Sequence, residues 1–289
     1  MGRNSLSHGG REAVVGGEVG CIARGESHGR AHPGKGIAIV LEPLGGHSVY
    51  VRAVKPHPLR QILDAVKARR AERPVLIFDL DGTLYDNRPR TIRILHAFAA
   101  GLDYAHAADA IRIRALRVDD LLYRIQDTLE KQGVSAAVIE LARKQWFARF
   151  FTDAACADDV PVLGAVPFVR ECYARGATVV YLTGRDTPGM LVGTVRTLRD
   201  DGFPIGLPRV ELVLKPTFEE NDTEFKRRML DPMDELGRVL GTFENEPGNC
   251  NLFHQRWPDA FSVLVTTQHA PGAPPLEPAC VSVPNFEHP

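Results

Sequence analysis

The sequence predicts an α/β fold built on a parallel sheet, and three observations predict it. Short apolar runs recur at residues 75–78, 178–182, 210–214, 239–243 and 261–265. Between them apolar residues return every three or four positions, the period of an amphipathic helix. Strands alternating with such helices form parallel sheets, because parallel neighbours need a crossover connection. The third observation is an interruption: the interval 86–160 carries helical stripes and no strand candidate.

With 289 residues and a quarter of them charged, the chain can bury a substantial core. Its 35 basic and 36 acidic residues nearly cancel, so no global field draws it to nucleic acid or anionic lipid. No apolar run approaches the roughly 20 residues needed to span a bilayer, and residues 13–23 hold Glu18 and too many glycines for a signal peptide. The five cysteines, Cys21, Cys156, Cys172, Cys250 and Cys280, show neither a disulfide framework nor a CxxC pair. They read as free thiols of a cytoplasmic protein.

Taken in order, residues 1–46 hold twelve of the 26 glycines and no sustained period, the composition of a flexible leader. His8, His28, His32 and His47 match no metal-ligand spacing. Runs at 37–41 and 48–54 could pair as a hairpin, and a helical run follows over 59–70. The strand at 75–78 opens the α/β core, expected over 47–87 and 160–289. The interval 88–159 is expected to be a helical insert with three stripes. The first is Ile92, Leu95, Ala99 and Leu102; the second Ile111, Ala115, Val118, Leu122, Ile125 and Leu129; the third Ile139, Ala142, Trp146 and Phe150. Helices ending at Gly176 and Gly202 follow, and the Pro-rich tail after Ala270 reads as a surface wrap.

The chemistry concentrates in Val-Leu-Ile-Phe-Asp-Leu-Asp-Gly-Thr-Leu-Tyr-Asp, residues 75–86. The apolar run delivers Asp79 to the carboxyl end of a buried strand, where α/β sheets place their ligand crevices. Asp81 falls on the same side if the chain stays extended, and Gly82 allows a tight turn. Two carboxylates so close imply a hard divalent cation such as Mg²⁺, or else one of them stays protonated and serves as an acid. A calcium loop of the EF-hand type would need flanking helices and a glutamate at its twelfth position, which this strand-borne segment lacks.

Asp-Leu-Asp-Gly-Thr at the end of the first core strand resembles the first motif of the haloacid dehalogenase superfamily. The resemblance implies a Rossmann-like core in which Asp79 is the nucleophile of a covalent aspartyl phosphate and Asp81 the general acid/base. It also implies Mg²⁺ as cofactor. Dehalogenases of the family generally lack the second aspartate, so its presence favours a phosphatase. The second motif is matched by Thr183 in Val-Val-Tyr-Leu-Thr-Gly-Arg-Asp. Its hydroxyl would bind a phosphoryl oxygen, with Gly184 and Arg185 beside it as substrate contacts. For Arg185 a helix-start salt bridge is the equal alternative.

Two residues compete for the third motif, a lysine that grips the phosphate: Lys215 in Val-Leu-Lys-Pro and Lys226 in Asp-Thr-Glu-Phe-Lys-Arg-Arg. Lys226, early in the helix before the fourth strand, resembles the placement in lipin-type and polynucleotide 3'-phosphatase members and is preferred. The fourth motif departs from the family's paired aspartates, reading Glu244-Asn245-Glu246-Pro247-Gly248-Asn249. Glu244 or Asn245 would join Asp79 and Asp81 as metal ligands, with Asn249 orienting them and less negative charge than usual.

The insert resembles the family's C1 cap, a lid that excludes water from small substrates. Trp146, Phe147, Phe150 and Phe151 would face the pocket or form cap core, and Arg88 and Arg90 would read substrate charge or form a solvated hinge. The chain is thus expected to be a Mg²⁺-dependent phosphatase acting on a small phosphorylated substrate. The rival readings are a binding or regulatory module without turnover and other chemistry of the superfamily, such as phosphomutase. Nucleic-acid or lipid substrates find weak support in Lys226-Arg227-Arg228 and the Arg-rich segment 112–124, since helix faces carry such charges routinely.

Overall fold

Strands β1 (Ala38–Pro43) and β2 (Val49–Val54) pair antiparallel, close to the expected hairpin. The computed structural model describes residues 38–43, 49–54 and 56–288. The expected flexible leader therefore lies outside the described residues apart from β1, as do Ile37 and Ser48 at the hairpin's expected ends. Helix α1 (Pro58–Ala68) follows, burying Leu59, Ile62, Leu63 and Val66 on one face. It leads into β3 (Pro74–Phe78), which is apolar at every position and buried along its whole length, as a central strand of a parallel sheet must be.

The chain then leaves the sheet through the two-residue strand β4 (Tyr85–Asp86) into α2 (Arg88–Ala100), α3 (Ala107–Ala115), α4 (Ile125–Lys131) and α5 (Ala136–Phe150). It returns through β5 (Val160–Pro161), which pairs antiparallel with β4. These helices share their own apolar core around Leu95, Ile113, Leu129, Val138 and Ala142. The second expected stripe does not form one helix. Ile111 is 67% and Leu122 41% exposed, and the buried residues are instead Ala110, Ile113, Leu116, Leu121, Ile125 and Leu129. The helix ends at Leu116, whose backbone turns extended, and a single 3-10 turn from Val118 to Asp120 separates α3 from α4. Asp120 accepts the Arg117 amide there at 2.8 Å, a local alternative to helix continuation.

Beyond the insert the expected alternation resumes with α6 (Ala165–Ala174), β6 (Thr178–Asp186), α7 (Thr187–Asp200) and β7 (Val210–Lys215). After these come α8 (Asp222–Arg228), α9 (Leu230–Leu236), β8 (Arg238–Glu244), α10 (Pro247–Arg256), β9 (Phe261–Val265) and β10 (Val281–Val283). The six sheet strands run parallel in the order β10-β9-β8-β3-β6-β7. Leu76, Phe78, Val179 and Tyr181 meet α1 and α6 on one face. Val75, Ile77, Val180 and Leu182 meet Phe225, Met233 and Phe253 of α8, α9 and α10 on the other. Helices on both faces make this a doubly wound, Rossmann-like α/β fold.

The tail is more than a surface wrap. β10 adds the sixth strand, and Phe286 is fully buried against Phe168 and Phe243, with ring centroids 5.5 and 5.7 Å away. Val281 to Val283 form an apolar-polar-apolar triplet that the surrounding prolines obscure in the sequence. Among the described residues Cys156, Cys172, Cys250 and Cys280 are free thiols, and no helix is long and apolar enough to cross a membrane.

Candidate active site

The first turn of the site begins where β3 ends. Asp79 extends the strand by donating its amide to Phe243 O at 3.0 Å, and the chain then doubles back, with the amides of Thr83, Leu84 and Tyr85 all donating to Leu80 O. Gly82 sits at φ +80° and donates to Tyr85 O at 2.7 Å. A Cβ there would also meet the Asn245 side chain at 2.4 Å, so glycine is required by conformation and by space. The turn directs the Thr83 hydroxyl back at Asp79 Oδ2, 3.1 Å away, and at Asn245 Oδ1, 3.3 Å away.

Lys226 reaches Asp79 from α8. Asn221 caps this helix by accepting the amides of Thr223 and Glu224, and Phe225 anchors it in the core beneath the sheet. Lys226, buried, donates to Asp79 Oδ1 at 2.8 Å and to Glu244 Oε1. Glu244, at the end of β8, is held on all sides. Oε1 also accepts from Asn249 Nδ2 at 3.0 Å, and Oε2 accepts the amides of Asn245 and Glu246 at 2.9 and 3.0 Å, just before α10 begins. Burial pushes the Asp79 carboxyl up to about 7, with Glu244 and Asp81 adding to the rise and Lys226 opposing it. Burial works against the Lys226 ammonium, but Asp79 and Glu244 outweigh it and hold that group firmly charged.

The second aspartate has a different environment. Asp81 receives Arg185 bidentately, Nε to Oδ2 at 2.7 Å and Nη2 to Oδ1 at 2.9 Å, and Asn87 Nδ2 at 3.1 Å. Arg90 Nη2 lies 3.4 Å from Oδ1. Burial alone would raise the Asp81 carboxyl, but the two guanidiniums outweigh it and hold the group well below the usual carboxylate range. Both arginines also grip Asp159: Arg90 through Nε at 2.8 Å and through Nη2, Arg185 through Nη2 at 2.7 Å. Arg90 stacks over Phe150 with 4.4 Å to the ring centroid, and Arg185 Nη1 donates to Thr194 at 3.1 Å. Asp159 was not legible as a site residue, because it lies 69 residues from Arg90 in an unremarkable Ala-Asp-Asp stretch.

The expected site residues thus fall into two groups. Asp79, Asp81, Gly184, Arg185, Lys226, Glu244 and Asn245 line one cleft of about 870 Å³ at the carboxyl edge of the sheet, together with Arg88. Thr183 is buried at the neighbouring strand end, where its Oγ1 accepts the Arg185 amide at 3.2 Å. Lys215 stays apart from Asp79: its ammonium donates to Asp222 at 2.7 Å and to the carbonyls of Phe218 and Glu220. Arg88 folds back on Asp86, with Nε and Nη2 bonds of 2.9 and 2.8 Å, and Arg90 is fully buried rather than solvated. As readers of substrate charge, Arg88, Arg90 and Arg185 are therefore already occupied by carboxylates of the chain.

The donor set bears on a cation too. Among the described residues no group of three or more histidine, cysteine or acidic side chains is arranged to hold a metal. Asp79 Oδ2 and Asn245 Oδ1, from two residues that line the cleft, nevertheless converge on the buried Thr83 hydroxyl, whereas both Glu244 oxygens are fully engaged by protein donors. One carboxylate and one amide oxygen fit a hard divalent ion with modest charge compensation.

A doubly wound parallel sheet with a buried carboxylate and lysine at its carboxyl edge defines a class of α/β enzymes whose chemistry sits at the strand ends. The family model of haloacid dehalogenase-like hydrolases matches residues 74–208, the stretch that carries Asp79, Asp81, Thr183 and Arg185. Over that stretch, somewhat under half of its length, the chain is similar to haloacid dehalogenase-like hydrolases. A comparison with curated proteins finds no match. Similar solved structures include Protein Tyrosine Kinase A of Mycobacterium tuberculosis, at 16% identity over 73% of this chain and 94% of that one, with a TM-score of 0.46. A haloacid dehalogenase-like family hydrolase from Streptococcus pneumoniae is 10% identical over 73% and 94%, with a TM-score of 0.44. CbbY from Rhodobacter sphaeroides, in complex with phosphate, is 14% identical over 74% and 94%, with a TM-score of 0.40.

Proposed function

We propose that the protein is a phosphatase that hydrolyses a small phosphate monoester through an aspartyl phosphate on Asp79. The observation that carries this reading is the Asp79 carboxylate at the cleft floor, held 2.8 Å from the buried Lys226 ammonium. In this reading the Asp79 carboxylate attacks phosphorus, while Lys226 fixes that carboxylate and offsets charge on the transferring group. Thr183 and the backbone around Gly184 orient the phosphoryl oxygens. Asp81 acts as general acid and later activates water, which requires it first to give up its Arg185 and Arg90 contacts and take up a proton from solvent as substrate enters.

Mg²⁺ would be held beside the phosphoryl group by Asp79 and Asn245 rather than by Glu244, whose oxygens are engaged by protein donors. When bound it would neutralise charge on Asp79 and on the phosphoryl oxygens. We assign the helices from 88 to 159 the role of a cap over the cleft, and a cytoplasmic setting to the whole.

Phosphate release from a panel of monoesters, with and without Mg²⁺, tests the reading, and Asp79→Asn should abolish release while the circular dichroism spectrum stays unchanged. Retained turnover in that variant would rule out the covalent step. A second reading, a binding protein that keeps the fold without turnover, is favoured by one observation: both Asp81 oxygens are engaged by arginine. Silence across the panel with tight phosphate binding would decide for it.

A further inference from the structure

The charges of the cleft restrict what leaving group it can hold. Among the described residues, every cationic side chain lining it is engaged by a carboxylate: Lys226 by Asp79 and Glu244, Arg185 by Asp81 and Asp159, Arg90 by Asp159, and Arg88 by Asp86. Lys215, from the adjoining loop, is likewise held by Asp222. The carboxylates lining the cleft outnumber its cations, and besides Asp79, Asp81 and Glu244 they include Asp86, Asp222 and Glu246. Other parts of the wall are apolar or neutral, with Leu122, Trp146 and Phe151 beside Asn87 and Gln268.

A second anionic group on the leaving side of a substrate meets no free cation in such a wall. It loses its hydration without a partner and faces like charge at close range. A neutral hydroxylated or ring-bearing group carries no such penalty, and the aromatic side chains offer it apolar contact.

We propose that the cleft takes monophosphates of uncharged, partly apolar alcohols and discriminates against substrates bearing a second anionic group, with the Asp86 to Arg88 pair as the element that withholds the one cation closest to solvent. Arg88 is the most exposed of the four cleft cations, at 35% of its side chain, so it is the one a second anion would recruit. This inference rests on the phosphatase reading for its kinetic arm alone.

Matched pairs provide the test: phenyl phosphate against 4-carboxyphenyl phosphate for turnover in Mg²⁺, and phenylphosphonate against 4-carboxyphenylphosphonate for calorimetric binding. The uncharged member should show kcat/KM higher by about tenfold or more, and the binding preference should run the same way. Asp86→Asn releases Arg88 from its bidentate partner, leaving only the fully exposed Asp119 at 3.9 Å, and should narrow both ratios. Equal or better use of the carboxylated member by the wild-type protein overturns the inference, as does an unchanged ratio in folded Asp86→Asn. A protein that releases no phosphate yet binds the uncharged phosphonate more tightly overturns the phosphatase reading and upholds the cleft's preference.

Discussion

Asp79 is buried, and burial raises its carboxyl to about 7 even with Lys226 beside it. That folded value lies above the unfolded value near 4, so its contribution to stability is fully present below pH ~4 and is lost as pH rises through about 7. Asp79→Asn removes the cost of the buried charge. In metal-free buffer the variant should be more stable than wild type at pH 8 by about 1–3 kcal/mol, with little difference at pH 4. Urea melts at the two pH values check this, and an equal midpoint at pH 8 contradicts it. Lys226→Met has the opposite effect, because it leaves Asp79 and Glu244 buried side by side without their shared cation. A loss of about 3–5 kcal/mol is expected from the same melts, several times that of Lys215→Met, whose partner Asp222 is 60% exposed. Asp79 and Asp81 are legible in the sequence because they sit in one contiguous motif, and Lys226 stands ahead of Lys215 by its place early in the helical stretch before β8. Asp159 is not legible there, because its partners Arg90 and Arg185 come from other parts of the chain.

At the scale of elements, the strands of the central sheet were legible and the tail was not. The five expected strands appear within a few residues of their expected ends, because each is a predominantly apolar run and the inner ones are covered on both faces, while the edge strand β7 leaves Glu211 exposed. β6 runs on to Asp186, beyond the expected end at Leu182, so that Thr183 and Arg185 are carried on strand backbone. β10 and Phe286 were hidden by flanking prolines, although Phe286 fills the space between Phe168 and Phe243. Phe286→Ala should destabilise the fold by about 3–4 kcal/mol, despite lying near the end of the described chain. A thermal melt within a degree of wild type would show that the tail is not part of the core. The stripe from Ile111 to Leu129 failed for the reverse reason: spacings of three and four persist across a break where Leu116 and Asp120 end one helix, so periodicity alone read two short helices as one.

Across the whole molecule, the helical insert and the sheet are joined at β4 and β5 and by the group of buried Arg90, Asp159 and Arg185 with half-buried Asp81. Arg90 and Asp159 belong to the two chain crossings of the insert, while Asp81 and Arg185 belong to the sheet's carboxyl edge. The charges balance only as a set of four, so removing one leaves a buried ion unpaired. Asp159→Ala should therefore cost about 3–5 kcal/mol, and a cycle with Arg90→Ala should show coupling above about 1 kcal/mol by denaturant unfolding. Additive effects would mean that the insert and the sheet are held together elsewhere.

The sequence by itself determined the parallel α/β core, the interruption by helices and the aspartate at the end of β3, because each follows from local periodicity or from a contiguous motif. The tertiary structure decided which lysine reaches Asp79, that Glu244 is saturated while Asn245 faces the cleft, and that Arg88, Arg90 and Arg185 are neutralised. Those outcomes depend on which charges meet across long sequence separations, and the cost of burying an unpaired charge selects the pairing only once the chain has folded.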